Sequence, residues 1–274
     1  MFLYKEKYDK IYTDKTNRGD SMKNDLAIVF LGNDIFYQSG VFKAILKNKL
    51  YENFTVTTGI GLGALTSILF ARKDYKSMDN MTFKITQEDK LFLNKEECLN
   101  LLDMHCINKS FKKNFQKWSN KISKDGIYSW YSLLKVINDG DVNLLYSDDF
   151  NMECLICCYI LPFMLENSFE FNKLEYREKE SLLLNVIAQP MIFTKKVRSK
   201  SYITPEINGE IAINQLIDRG YKNILVINSQ GENYNFDKYK DKINIWEIKN
   251  CIRLNSGNME IGYNNFTNFI KNIA

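Results

Sequence analysis

The sequence predicts an α/β fold built on a mostly parallel central sheet. Short apolar runs such as Leu26-Ala27-Ile28-Val29-Phe30-Leu31 and Asn223-Ile224-Leu225-Val226-Ile227-Asn228 read as strands covered on both faces. The first of these runs is followed by a helical pattern at 37–48, with Val41, Phe42, Ile45 and Leu46 on one face. A second strand and a second apolar helix come next, and this alternation of strand and helix implies a right-handed crossover.

Composition narrows the class. The chain has 274 residues, 45% hydrophobic and 26% charged, which fits one large α/β domain about as well as two small ones. The 37 basic and 33 acidic residues leave a net charge of +4, which gives no support for a nucleic-acid partner, and none is expected. Cys154, Cys157 and Cys158 lie in an apolar run and read as buried reduced thiols. Together with Cys98, Cys106 and Cys251 they do not form a disulfide framework. With His105 the only histidine, no metal site and no cofactor is expected. The charged stretch 1–25 lacks the apolar core of a signal peptide, and no apolar run reaches the length of a membrane span. A soluble, cytoplasmic protein is expected.

Taken in order, 1–25 is an extension and 26–274 the domain. Gly32-Asn33-Asp34 is the turn after the first strand, and 54–58 is the second strand. From 73 to about 125 the pattern is helical and strongly charged, an insertion or cap. Within it Phe111, Phe115, Trp118 and Ile122 form a helical stripe flanked by Lys112, Lys113 and Lys117, a basic aromatic face able to lie on an anionic membrane surface. Strands are expected at 150–160, 168–171 and 243–248. Helices are expected at 181–188, at 213–220 with Gly220 as its stop, and at 265–272.

The turn Gly59-Ile60-Gly61-Leu62-Gly63 between the second strand and its helix has the form of a nucleophile elbow, G-x-S-x-G, with glycine in place of serine. Further segments carry a family likeness. Gln38 and Gly40 sit where a helix starts after a loop. Ala188-Gln189-Pro190-Met191-Ile192-Phe193 matches an Ala-x-Pro-x-x-Phe segment, and Asn208-Gly209-Glu210 with Asn214 occupies the place of an Asp-Gly-Gly turn with its Asn. Gly126-Ile127-Tyr128 matches the segment after a variable cap, and 218–227 a helix end and strand. On these residues the chain resembles the patatin-like phospholipase family over about 26–274. The resemblance implies a three-layer α/β/α fold and, in active members, lipid acyl hydrolysis by a Ser-Asp dyad with a glycine-rich oxyanion loop.

The chemical positions depart from that pattern. The nucleophile position is Gly61 and the acid/base position is Asn208; the oxyanion loop corresponds to Gly32, Asn33 and Asp34, with only one glycine. A neutral amide does not act as a general base. Asp34 is expected to place negative charge where an oxyanion would develop. Gly59 and Gly63 keep the elbow. The expectation is therefore a catalytically degenerate patatin-like protein that binds a lipid or acyl ligand, an anionic membrane surface at its periphery, or a protein partner such as an active homologue. The alternatives are an acyl hydrolase with a relocated nucleophile among Ser39, Thr58, Thr66 and Ser67, or an inactivated form of an active enzyme.

Overall fold

The computed structural model describes residues 23–87, 144–145, 148–160, 163, 165–187, 202–203, 209–229, 231, 233–239, 241–250 and 257–273. Among them, seven strands form one sheet: β1 (Lys23–Leu31), β2 (Phe54–Gly59), β3 (Glu153–Ile160), β4 (Leu165–Glu170), β5 (Tyr202–Ile203), β6 (Tyr221–Asn228) and β7 (Asn244–Lys249). The order is β4-β3-β2-β1-β6-β7, with β5 paired to β3. The β3-β2-β1-β6-β7 core is parallel, while β4 and β5 run antiparallel to β3. The α/β, mostly parallel architecture expected from the apolar runs is the one observed.

β1 is central because both of its faces are covered. Ile28 and Phe30 enter one apolar cluster and Ala27, Val29 and Leu31 the other, the period-2 partition of a strand between two helical layers. On the first face lie α1 (Ile35–Lys47), α2 (Gly63–Ala71), α3 (Tyr75–Gln87), α4 (Tyr176–Ile187) and α6 (Asn258–Ile273). On the second lies α5 (Glu210–Asp218), backed by Tyr239 and Ile243. Phe70 of α2 anchors the first cluster, with ring centroids 4.8 Å from Phe42, 5.0 Å from Tyr51, 5.4 Å from Phe30 and 5.6 Å from Phe54.

Several boundaries move for identifiable reasons. α1 starts at Ile35 because Asp34 caps it, its carboxylate accepting the Tyr37 N–H at 3.1 Å. α6 starts at Asn258, seven residues before the expected 265, because Gly262 is part of its packing face and does not break it. α5 runs Glu210–Asp218, starting three residues before the expected 213, and the expected stop Gly220, at φ +87°, follows its end with an N–H bond to Ile217 O at 2.8 Å. The expected strand 150–160 begins at Glu153, and the short strand at 168–171 is Leu165–Glu170. The helix over 181–188 starts earlier, at Tyr176. α3 opens the charged segment expected to be helical from 73. β1 starts at Lys23, so it takes in the last three residues of the extension expected over 1–25. The rest of that extension, the basic aromatic stripe at 111–122, the Gly126 segment, the Pro190 segment and Asn208 lie outside the described residues.

Strand order reverses at β1: the chain leaves it toward β2 and β3 on one side and returns to β6 and β7 on the other. In open parallel sheets the crevice at the carboxyl ends of the strands flanking such a reversal is where ligands bind. The ends are level here, Phe30 pairing with Gly59 and Leu31 with Asn228.

Candidate functional site

The elbow sits at that crevice. β2 ends at Gly59, α2 starts at Gly63, and Gly61 between them has φ +62° and is buried. The flanking glycines are required by close approach. A Cβ at Gly59 would lie 2.1 Å from the Gly63 carbonyl oxygen, and one at Gly63 would lie 2.2 Å from that of Phe30. Gly59 and Gly63 therefore let a helix start directly against two strands, with the central residue held in the left-handed region. This is the backbone of an elbow, carrying no side-chain oxygen at its tip.

The loop after β1 faces this turn with acceptors. Gly32, at φ +92°, presents its carbonyl to the Gly63 N–H at 3.1 Å, and Asn33 Oδ1 accepts the Leu62 N–H at 3.0 Å. Gly63 N–H also reaches Ile60 O at 3.1 Å, and Ile60 N–H donates to Phe30 O at 3.0 Å. An oxyanion hole needs N–H groups aimed at the developing charge. Here the N–H of Leu62, the residue after Gly61, already has a partner, and the neighbouring loop contributes oxygens.

Asp34 does not play the part expected of it. Its side chain is turned into the fold, where Oδ1 accepts the Tyr37 N–H and Oδ2 accepts the amides of Asn250 at 3.1 Å and Asn258 at 2.5 Å. Burial pushes its carboxyl above the ordinary carboxylate range, opposed by the Tyr37 N–H, the Asn258 amide, the Phe36 N–H and the Asn250 amide. The expectation that Asp34 repels an oxyanion is corrected: the carboxylate ties the β1–α1 loop to the end of β7 and the start of α6.

Beneath the loop lies a polar network that the sequence alone did not single out. Ser229, the residue after β6, donates to Leu31 O at 2.8 Å and accepts from Gln38 Nε2 at 3.0 Å and from the Asp34 N–H at 3.3 Å. Gln38 Nε2 also reaches Gly32 O at 3.1 Å, while its Oε1 accepts from Thr66 Oγ1 at 2.5 Å. The signal that would have found Ser229 is its position, polar and next after a buried parallel strand beside β1.

The hydroxyls near the elbow are all buried. Thr66 is held by Gln38, Ser67 donates to Ala64 O at 2.8 Å, and Thr58 Oγ1 lies 3.3 Å from Cys157 Sγ. Cys154, Cys157 and Cys158 are free thiols on β3; burial pushes the Cys157 thiol up to about 11, only partly offset by the Thr58 hydroxyl and Arg219. No carboxylate, thiol and imidazole cluster suited to a metal ion occurs among the described residues. Gly209, next to position 208, packs under Tyr234 and against Leu31, so the segment opening α5 reaches the same end of β1. A groove of about 400 Å³ lined by Ile217, Tyr221, Lys222 and Lys242 lies at the opposite, amino-terminal edge of the sheet.

No protein-family model matches the sequence, and no curated protein does. Among solved structures, VipD from Legionella pneumophila is similar at 10% identity and a TM-score of 0.45, over 90% of this chain and 67% of that one. ExoU of the Pseudomonas aeruginosa type III secretion system, solved in complex with SpcU, is similar in two structures. Both are 10% identical over 90% of this chain, with TM-scores of 0.46 and 0.43. The chain spans about half the length of ExoU. At these scores the likeness carries no weight beside the strand order and elbow geometry. No helix among the described residues is long and apolar enough to cross a membrane.

Proposed function

We propose that this chain is a catalytically silent protein on a patatin-like scaffold, acting by binding a lipid acyl group, a membrane surface or a protein and not by turning over an ester. One observation carries the reading: the elbow backbone is kept, with Gly61 at φ +62° between two sterically required glycines, while no hydroxyl projects from it and Leu62 N–H is bonded to Asn33. Selection for packing explains Gly59 and Gly63; nothing in the arrangement supplies a nucleophile. The buried state of Ser39, Thr58, Thr66 and Ser67 supports the same reading against a relocated nucleophile.

The test pairs a chemical probe with a binding probe. Purified protein is incubated with a fluorophosphonate, short-chain nitrophenyl esters and phospholipid vesicles. No stoichiometric label and no turnover are expected; either one overturns the reading. Flotation with phosphatidylserine-containing and phosphatidylcholine-only vesicles reports the membrane arm. Replacing Lys112, Lys113 and Lys117 by Glu is expected to abolish binding to the anionic vesicles.

A further inference from the structure

We infer that Asn33 is an internal stand-in for an oxyanion, and that its side chain closes the elbow even to a restored nucleophile. The inference rests on the elbow reading given under Proposed function. In an elbow, the N–H of the residue after the nucleophile is one donor of the oxyanion hole. Here that residue is Leu62, and its N–H points at Asn33 Oδ1 at 3.0 Å across a sequence gap of 29 residues. A backbone N–H has only its donor function, so the end of the Asn33 amide that meets it is the oxygen. Both residues are only partly buried, whereas Gly61 is buried between them. The contact therefore lies at the mouth of the turn.

Two further donors at the turn are also engaged. Gly63 N–H is shared between Gly32 O and Ile60 O, and Ala64 N–H donates to Gly61 O at 3.2 Å. Releasing Leu62 thus frees a donor without dismantling the strand-to-helix junction. Asn33 can release it, because among the described residues its side chain makes no other hydrogen bond, whereas the Asp34 and Gln38 side chains each hold several. Truncating the carboxamide to the alanine methyl leaves the N–H open to a ligand oxygen; replacing it with a carboxylate keeps an acceptor in place.

Amide hydrogen exchange at Leu62 tests the contact itself. Asn33→Ala is expected to speed exchange of that amide by about tenfold, the scale of one ordinary hydrogen bond, with the later amides of α2 unchanged. Asn33→Asp is expected to leave it protected. The chemical consequence is read on Gly61→Ser/Asn208→Asp with and without Asn33→Ala. The probe is a fluorophosphonate: the serine oxygen bonds to phosphorus, the P–F bond breaks with fluoride leaving, and the serine proton is released to water. Labelling is expected to rise by about a hundredfold when Asn33→Ala is added, the scale of one oxyanion donor. Adding Asn33→Asp instead is expected to give no rise. Leu62 exchange unchanged in Asn33→Ala, or faster exchange with equal labelling of the two reconstructed proteins, overturns the inference. Faster exchange with neither protein labelled overturns the elbow reading and leaves the contact standing.

Discussion

At the scale of single residues, the glycines around the elbow separate two physical causes that a sequence pattern merges. Gly63 is required because a Cβ would meet the Phe30 carbonyl oxygen at 2.2 Å, and Phe30 is fixed in the middle of the sheet. Gly220 has a φ of +87°, but nothing lies within 4 Å of a Cβ built there. Gly63→Ala is therefore expected to lower the unfolding free energy by about 3 kcal/mol. Gly220→Ala, which adds backbone strain alone, is expected to lower it by about 1 kcal/mol. Urea denaturation of the two variants checks the ranking, and equal losses would show that the close approach is not limiting. Asp34 makes a different prediction, in pH. Its folded-state pKa is raised above 3.8 by burial, so the unfolded chain ionises first as pH rises. Its contribution to stability is then fully favourable below the unfolded value and declines through the interval up to the raised folded value. Other carboxylates move the absolute profile, Glu170 in the opposite sense: burial raises its pKa, but Lys173 and Arg219 together hold it below its ordinary value. The useful quantity is the difference between the wild type and Asp34→Asn. That difference is expected to fall as pH rises through this interval; a flat or rising difference in urea midpoints counts against a buried, desolvated carboxyl.

At the scale of elements, α1 and α6 cross at a point where neither helix has room for a side chain. A Cβ at Gly40 would lie 1.9 Å from Met259 O, and one at Gly262 would lie 2.2 Å from Tyr37 O. Gly40→Ala or Gly262→Ala is thus expected to force the helices apart and to cost about 3 kcal/mol. Loss of stability should come with faster amide exchange along α6. Variants that melt with the wild type would refute the close crossing. This contact also explains what the sequence hid. β1 was legible because a continuous apolar run bounded by a turn has few other uses, and α5 because Gly220 marks its end. The first turns of α6 were not legible, since Gly262 reads locally as a helix breaker and its reason lies on Tyr37, in α1. Asp34 was misread for the same cause. Its partners Asn250 and Asn258 are 216 and 224 residues away, and no local spacing reports them. The elbow was readable as a motif, whereas the Asn33–Leu62 bond that qualifies its chemistry required the fold.

At the scale of the whole molecule, the reversal of strand order at β1 brings the β1–α1 loop, the elbow and the start of α5 to one edge, and the sheet that does this is closed around three thiols. Cys154, Cys157 and Cys158 lie on β3, which has β2 on one side and β4 on the other, with Cys154 and Cys158 in the first apolar layer and Cys157 in the second. Only the thiolate reacts at a useful rate. Burial disfavours the thiolate at all three positions and pushes Cys157 to about 11. Access is closed as well, because all three side chains are fully buried, Cys154 and Cys158 in one apolar layer and Cys157 in the other. Alkylation of these thiols should therefore report global unfolding. With iodoacetamide and peptide-resolved mass spectrometry, Cys154, Cys157 and Cys158 are expected to stay unmodified in the native protein. They should become modified together across the same urea range in which the far-ultraviolet circular dichroism is lost. The two faces provide the internal control: if β3 is held from both sides, Cys157 must follow the same transition as Cys154 and Cys158. Earlier modification of Cys157 alone would mean that the α5 layer separates from the sheet first and that the two helical layers do not unfold as one cooperative unit.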